Sequence, residues 1–171
     1  MQVESEDAKS ERVKKYLMEE MEEQSNIIIR KGTSDDIPAV FSLVEELAVY
    51  EKAEHEVVTS IDLYQKLYKE SLFDFFVAEE RGKVQGIALY YLTFSTWKGK
   101  MMYLEDFVVF PEERGRGIGQ LLFEAVIEEA KVLECTLMKW QVLDWNVDAH
   151  RFYEKYDAIL EKDWWNGKLF F

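Results

Sequence analysis

The sequence predicts an α/β (α+β) fold, a mixed and mostly antiparallel central sheet flanked by helices in the order β-α-α-β-β-β-α-β-α-β-β. Three observations point there. Segments with helical spacing of apolar residues alternate with short β-rich runs. Two of the gaps between β runs, Arg81-Gly82 and Lys98-Gly99, have hairpin-turn composition. Finally, the apolar run Phe107-Val108-Val109-Phe110 stops at Pro111, and a glycine-rich turn leads from it straight into a helix-period segment.

The elements follow in order. Residues 1–25 carry dense mixed charge with Val13, Tyr16, Leu17 and Met21 at helical spacing, and read as a charged helical extension. A single domain, 26–171, follows. Ile27 to Arg30 is a short strand. Ser34-Asp35-Asp36 offers caps for a helix that carries Ile37, Val40, Phe41, Val44, Leu47 and Ala48. A second helix starts near Thr59-Ser60 with Leu63, Leu67 and Tyr68. Strands are expected at Phe73–Glu79, Val84–Phe94 and Met101–Val109. The helix after the glycine turn sets Ile118, Leu122, Ala125, Val126 and Ala130 against the polar face of Gln120, Glu124 and Glu128. A strand at Leu137–Leu143 precedes a short helix capped by Asn146, and strands near Ala158–Glu161 and Lys168–Phe171 close the chain.

Composition bounds the function. At 171 residues with 48% hydrophobic content, the chain can bury a proper core. No apolar run approaches the roughly 18 residues of a membrane span, and the charged N-terminus has no secretory apolar region. A single cysteine, Cys135, excludes an internal disulfide and suits a reducing cytoplasm. The net charge of −13 repels nucleic acid and attracts cations. His55 and His150 stand apart, and no metal-ligand spacing is present.

The glycine turn carries the clearest chemical signal. Gly115, Gly117 and Gly119 alternate in front of a helix, beside Arg114 and Arg116. The first amides of a helix have no internal partners, and with the helix dipole they form an anion site suited to a pyrophosphate. The turn has no Gly-Lys-Ser/Thr and lacks the G-x-G-x-x-G spacing, so neither common nucleotide loop fits. Arg114, Gly117 and Gly119 instead fill R-x-x-G-x-G, which resembles the acetyl-CoA signature of the GNAT N-acetyltransferase superfamily. Tyr103-Leu104-Glu105-Asp106-Phe107, Asp144-Trp145-Asn146, Arg151-Phe152-Tyr153, Glu46-Leu47-Ala48 with Tyr50-Glu51, and Trp97 with Gly99-Lys100 are similar to its spermidine/spermine (diamine) branch. Thialysine acetyltransferases share much of that pattern, and the similarity runs from about Ile27 to the last residues.

This resemblance implies acetyl-CoA as co-substrate, held by Phe107, Val108, Val109, Arg114, Gly115, Arg116, Gly117, Ile118, Gly119, Asn146 and Tyr153. An alkyl amine has a pKa near 10.4, so a carboxylate must help remove its proton at neutral pH. Glu105 and Asp106 sit on the strand feeding the turn, and strand alternation sends them to opposite faces. Family resemblance favours Glu105 as base or amine anchor, and Asp106 reads as structural. Tyr153 is placed as the general acid for the departing thiolate, and the neighbouring Phe152 as a core aromatic. Backbone N–H groups around Phe107 to Val109 are expected to polarise the thioester carbonyl.

Tyr50, Glu51, Trp97, Trp140 and Gln141 match segments that line the amine channel of diamine acetyltransferases. The polyamine enzymes carry an acidic residue where this chain has Ser95, which favours short diamines and thialysine-like amino acids over spermine. The partner is thus a small-molecule amine, and the resemblance implies a homodimer. Two alternatives stay open: a catalytically quiet CoA-binding module, for which the charged extension speaks, and a protein N-acetyltransferase. Retention of Glu105 and Tyr153 speaks against the first.

Overall fold

A computed structural model describes Lys15 and residues 27–170, so the N-terminal extension lies, apart from Lys15, outside the described residues. The chain divides into two compact units, one through Lys139 and one from Trp140 onward.

The first unit holds a five-stranded sheet in the order β1-β2-β3-β4-β5. Its strands are β1 (Ile27–Lys31), β2 (Asp74–Glu80), β3 (Lys83–Ser95), β4 (Gly99–Val109) and β5 (Leu137–Lys139). β1 to β4 are antiparallel neighbours, and β5 joins β4 in parallel. The sheet is therefore mixed and mostly antiparallel, as the two hairpin turns imply. Helix α1 (Ile37–Glu51) follows a 3-10 turn at Ser34–Asp36, and helix α2 (Ile61–Lys69) is capped by the Ser60 hydroxyl, which accepts from the Leu63 amide. Helix α3 (Ile118–Val132) follows the glycine turn.

Period-two alternation sorts the two faces of the sheet. Phe75, Val77, Ile87, Leu89 and Val108 pack with Ile37, Val40 and Leu43 of α1. Each such buried side chain contributes about 1.5–3 kcal/mol of hydrophobic stabilisation. Phe107, one residue from Val108, points the other way and meets Phe123 of α3 at 5.7 Å between ring centroids. Ion pairs hold the unit's edges. Arg30 grips Asp36 at 2.7 and 2.8 Å and Glu79 at 2.8 Å. This guanidinium keeps the Asp36 carboxyl below the usual range, so it stays charged while accepting from the Thr33 amide. Lys31 ties β1 to Asp74 of β2 at 2.9 Å and to Glu129 of α3 at 2.8 Å, and also meets the hydroxyl of Tyr90.

The register of β3 and β4 contains the irregularity that matters most. Tyr90 faces Leu104, but the next residue, Leu89, faces Asp106, so Glu105 is the extra residue of a β-bulge. A bulge bends its strand, and the parallel ladder with β5 ends just before it, at Tyr103 opposite Lys139. β5 ends at Lys139, short of the expected Leu143.

The second unit contains helix α4 (Val147–Glu154), capped as expected by Asn146, whose side-chain oxygen accepts from the Ala149 amide at 3.2 Å. The two strands expected after it do not form: among the described residues, 158–170 belong to no ladder. Alternating apolar residues there supply a face but find no neighbouring strand, and Ile159, Leu169 and Phe170 are exposed.

Candidate active site

The glycine turn is built by backbone geometry. Pro111–Glu113 forms a 3-10 turn that ends β4, and Gly115 and Gly117 then adopt φ of 79° and 81°. Only glycine takes that left-handed conformation without strain. Gly117 is the N-cap of α3. A side chain at either glycine would meet no atom within 4 Å, so both border open space at the helix N-terminus, as a cradle for an anion requires. Gly119 packs on the ring of Phe107 and seats the first turn of α3 against β4. Ile118 behind it is buried.

The two arginines of the turn behave differently. Arg114 donates from Nε to the Val109 carbonyl at 3.1 Å, and its guanidinium lies 5.0 Å from the ring centre of Tyr50 at the end of α1. The glycine turn and the helix end that bears Glu51 are therefore joined through one side chain. Arg116 instead reaches Glu80 of β2, at 2.6 and 3.1 Å, and Glu113.

The bulge corrects the expected disposition of the two β4 carboxylates. Simple alternation would separate Glu105 from Asp106, but the extra residue resets the phase and brings both towards α1 and α2. Glu105 accepts from the Tyr91 hydroxyl at 3.1 Å, and Tyr91 stacks on Tyr103 with centroids 5.3 Å apart. Asp106 is the more deeply placed, and its carboxyl is pushed up to about 7, first by burial and then by the charges of Glu105 and Glu51. Burial also raises Glu51 above the usual carboxylate range. Tyr64 of α2, packed edge-on against Phe41 and Phe73, is pushed up to about 12 by burial and the Asp106 charge. Three carboxylates and three phenols thus share one side of the bulge. Sequence reasoning demoted Asp106 and missed Tyr64, Tyr91 and Tyr103, because a bulge leaves no trace in apolar periodicity.

Beyond Tyr103, β4 has a ladder partner only on its β3 side among the described residues. Phe107, Val108 and Val109 lie on this one-sided stretch. Trp97 is not gathered with the carboxylates: it sits at the tip of the β3–β4 hairpin, 84% exposed. Ser95 caps that tip, its hydroxyl accepting from the Trp97 and Lys98 amides at 3.3 and 3.2 Å.

The remaining expected site residues belong to the second unit. Tyr153 is buried, 4.7 Å from the ring centre of Trp140, with Phe152 edge-on at 5.4 Å. The expected roles of the two neighbours in packing are exchanged: Tyr153 is the buried aromatic and Phe152 is half-buried. Burial raises the phenol of Tyr153 well above its ordinary value, which keeps it protonated. Gln141 donates to Asn166 at 2.5 Å. No helix among the described residues is long and apolar enough to cross a membrane.

The model of the acetyltransferase (GNAT) family matches residues 39–157. The thialysine N-epsilon-acetyltransferase of Bos taurus is 35% identical over 154 residues, covering 82% of this chain and 89% of that protein. The spermidine/spermine N(1)-acetyltransferase-like protein 1 of Homo sapiens is 31% identical over 140 residues, 77% of this chain but 20% of that protein. Among solved structures, an aminoglycoside acetyltransferase from an uncultured soil metagenomic sample superposes with a TM-score of 0.73. It is 18% identical, with 86% of this chain and 97% of that one covered, and shares the fold.

Proposed function

The chain belongs to the GNAT acetyltransferase family, and on that premise we propose that it transfers the acetyl group of acetyl-CoA to a primary amine of a small diamine, polyamine or thialysine-like amino acid, with the short acceptors preferred. The observation that carries the substrate class is the clustering of Glu51, Glu105 and Asp106 around the β4 bulge. Asp106 is held up first by burial and then by the charges of Glu105 and Glu51, and an ammonium among these carboxylates offsets both.

In this reading the amides at the start of α3 and the Arg114–Gly119 turn hold the pyrophosphate. The one-sided stretch Phe107–Val109 lies alongside the thioester, its backbone N–H groups drawing electron density from the carbonyl. Glu105 anchors the amine or takes its proton, and Asp106, able to exchange a proton near pH 7, is suited to pass it on. The family resemblance assigns Tyr50 and Glu51 to the wall and the second anchor. The protonated Tyr153 phenol supplies a proton to the departing thiolate. Ser95 leaves the hairpin without the acidic anchor of the polyamine enzymes, so short acceptors are favoured. The bovine relative, named for thialysine, supports the same ranking. Free-thiol release from acetyl-CoA should require both protein and amine. Release that is independent of any small amine would refute the proposal.

A further inference from the structure

The outer side of the glycine turn is fastened by an ion-pair triad. Glu80, the last residue of β2, takes Arg116 in a two-point grip at 2.6 and 3.1 Å, and Glu113 binds the same guanidinium. The Glu80 side chain is only 12% exposed. Paired, fork-like contacts of this kind are among the strongest and most directional that a protein makes. Two carboxylates on one guanidinium leave the group net negative, so Arg116 is a poor donor of positive charge to a phosphate. Its position suits a strut: it lies between Gly115 and Gly117, the two residues with left-handed φ, where the backbone would otherwise have several ways to turn.

We propose that Glu80 is a positioning residue for the acetyl donor. Through Arg116 it fixes the 115–119 turn in the one arrangement whose amides converge on a pyrophosphate. This rests on the acetyl-CoA reading above, and the β2–β3 hairpin, remote in sequence from the turn, becomes part of cofactor recognition.

Glu80→Gln, Arg116→Gln and the exchanged pair Glu80→Arg with Arg116→Glu test it, with calorimetric titration of CoA, steady-state kinetics and a thermal melt on each. Both single variants should raise the Kd for CoA and the KM for acetyl-CoA about tenfold, and Glu80→Gln should retain kcat at saturating acetyl-CoA. The exchanged pair should recover most of the affinity, because the guanidinium moved to the end of β2 could then reach both Glu113 and the carboxylate introduced on the turn. A merely structural pair would lower the melting temperature and leave Kd and KM in place. Unchanged or tighter CoA binding by folded Glu80→Gln would overturn the proposal, since a phosphate-binding Arg116 would gain from losing its competitor. Wild-type protein that binds no CoA at all would refute the acetyl-donor reading itself, and this inference with it.

Discussion

A carboxyl group held near pH 7 by its surroundings lowers the stability of the fold wherever the solution ionises it. Asp106 is such a group, with a folded value of about 7 against an unfolded value near 3.9. Between those values the unfolded chain binds fewer protons than the folded one, so this residue makes stability fall as pH rises through that window. Asp106→Asn removes the effect while keeping the shape. Relative to wild type it should gain about 2–3 kcal/mol between pH 5 and pH 8. Denaturant titrations at both pH values check this, and parallel pH profiles would place Asp106 in a solvated site. Tyr153 makes a second residue-scale case. Raised by burial, its phenol remains a proton donor across the working range. Tyr153→Phe should lower kcat by about 10²–10⁴ with little change in the KM for acetyl-CoA. Wild-type turnover would leave Tyr153 as packing against Trp140 alone. Both residues were visible in the sequence, but their environments were not. Asp106 was demoted by an alternation that the bulge at Glu105 breaks.

At the scale of elements, the turn between β4 and α3 was the most legible part of the chain. Its glycines and the apolar helix behind them announce the element from composition alone, and the structure puts two of the three glycines in the left-handed conformation in front of α3. Gly117→Asp should therefore weaken CoA binding strongly. The new side chain would sit in a strained backbone, project into the open cradle and set a negative charge where the pyrophosphate is expected. Unchanged affinity in a folded Gly117→Asp protein would remove the turn from the cofactor site. What the sequence could not convey was the partner of each side chain. Arg114 and Arg116 read alike, yet one lies over Tyr50 and the other is taken by Glu80 and Glu113. The pairings with Tyr50 and Glu80 span 36 positions and more, which local pattern does not encode. The terminal strands failed for a related reason, since a strand is defined by its neighbour and not by its own alternation.

At the scale of the molecule, the net charge of −13 favours the approach of a dication, and the carboxylates at the bulge give that charge a destination. The same scale exposes Trp164, Trp165 and Phe170 at 72%, 99% and 81%. Aromatic surface of that kind marks an association site, and a two-fold dimer at micromolar concentration is expected. Sedimentation of a monomer at that concentration would contradict it. The central claim, acetylation of a small primary amine carrying a second polar or cationic group, is tested most directly by offering acetyl-CoA and an equimolar mixture of putrescine, spermidine, spermine, lysine and thialysine to the enzyme, and identifying the first acetylated products by mass spectrometry. Thialysine or the short diamine should be acetylated first. A mixture in which acetylated spermine dominates, or in which no amine is modified, would contradict the account.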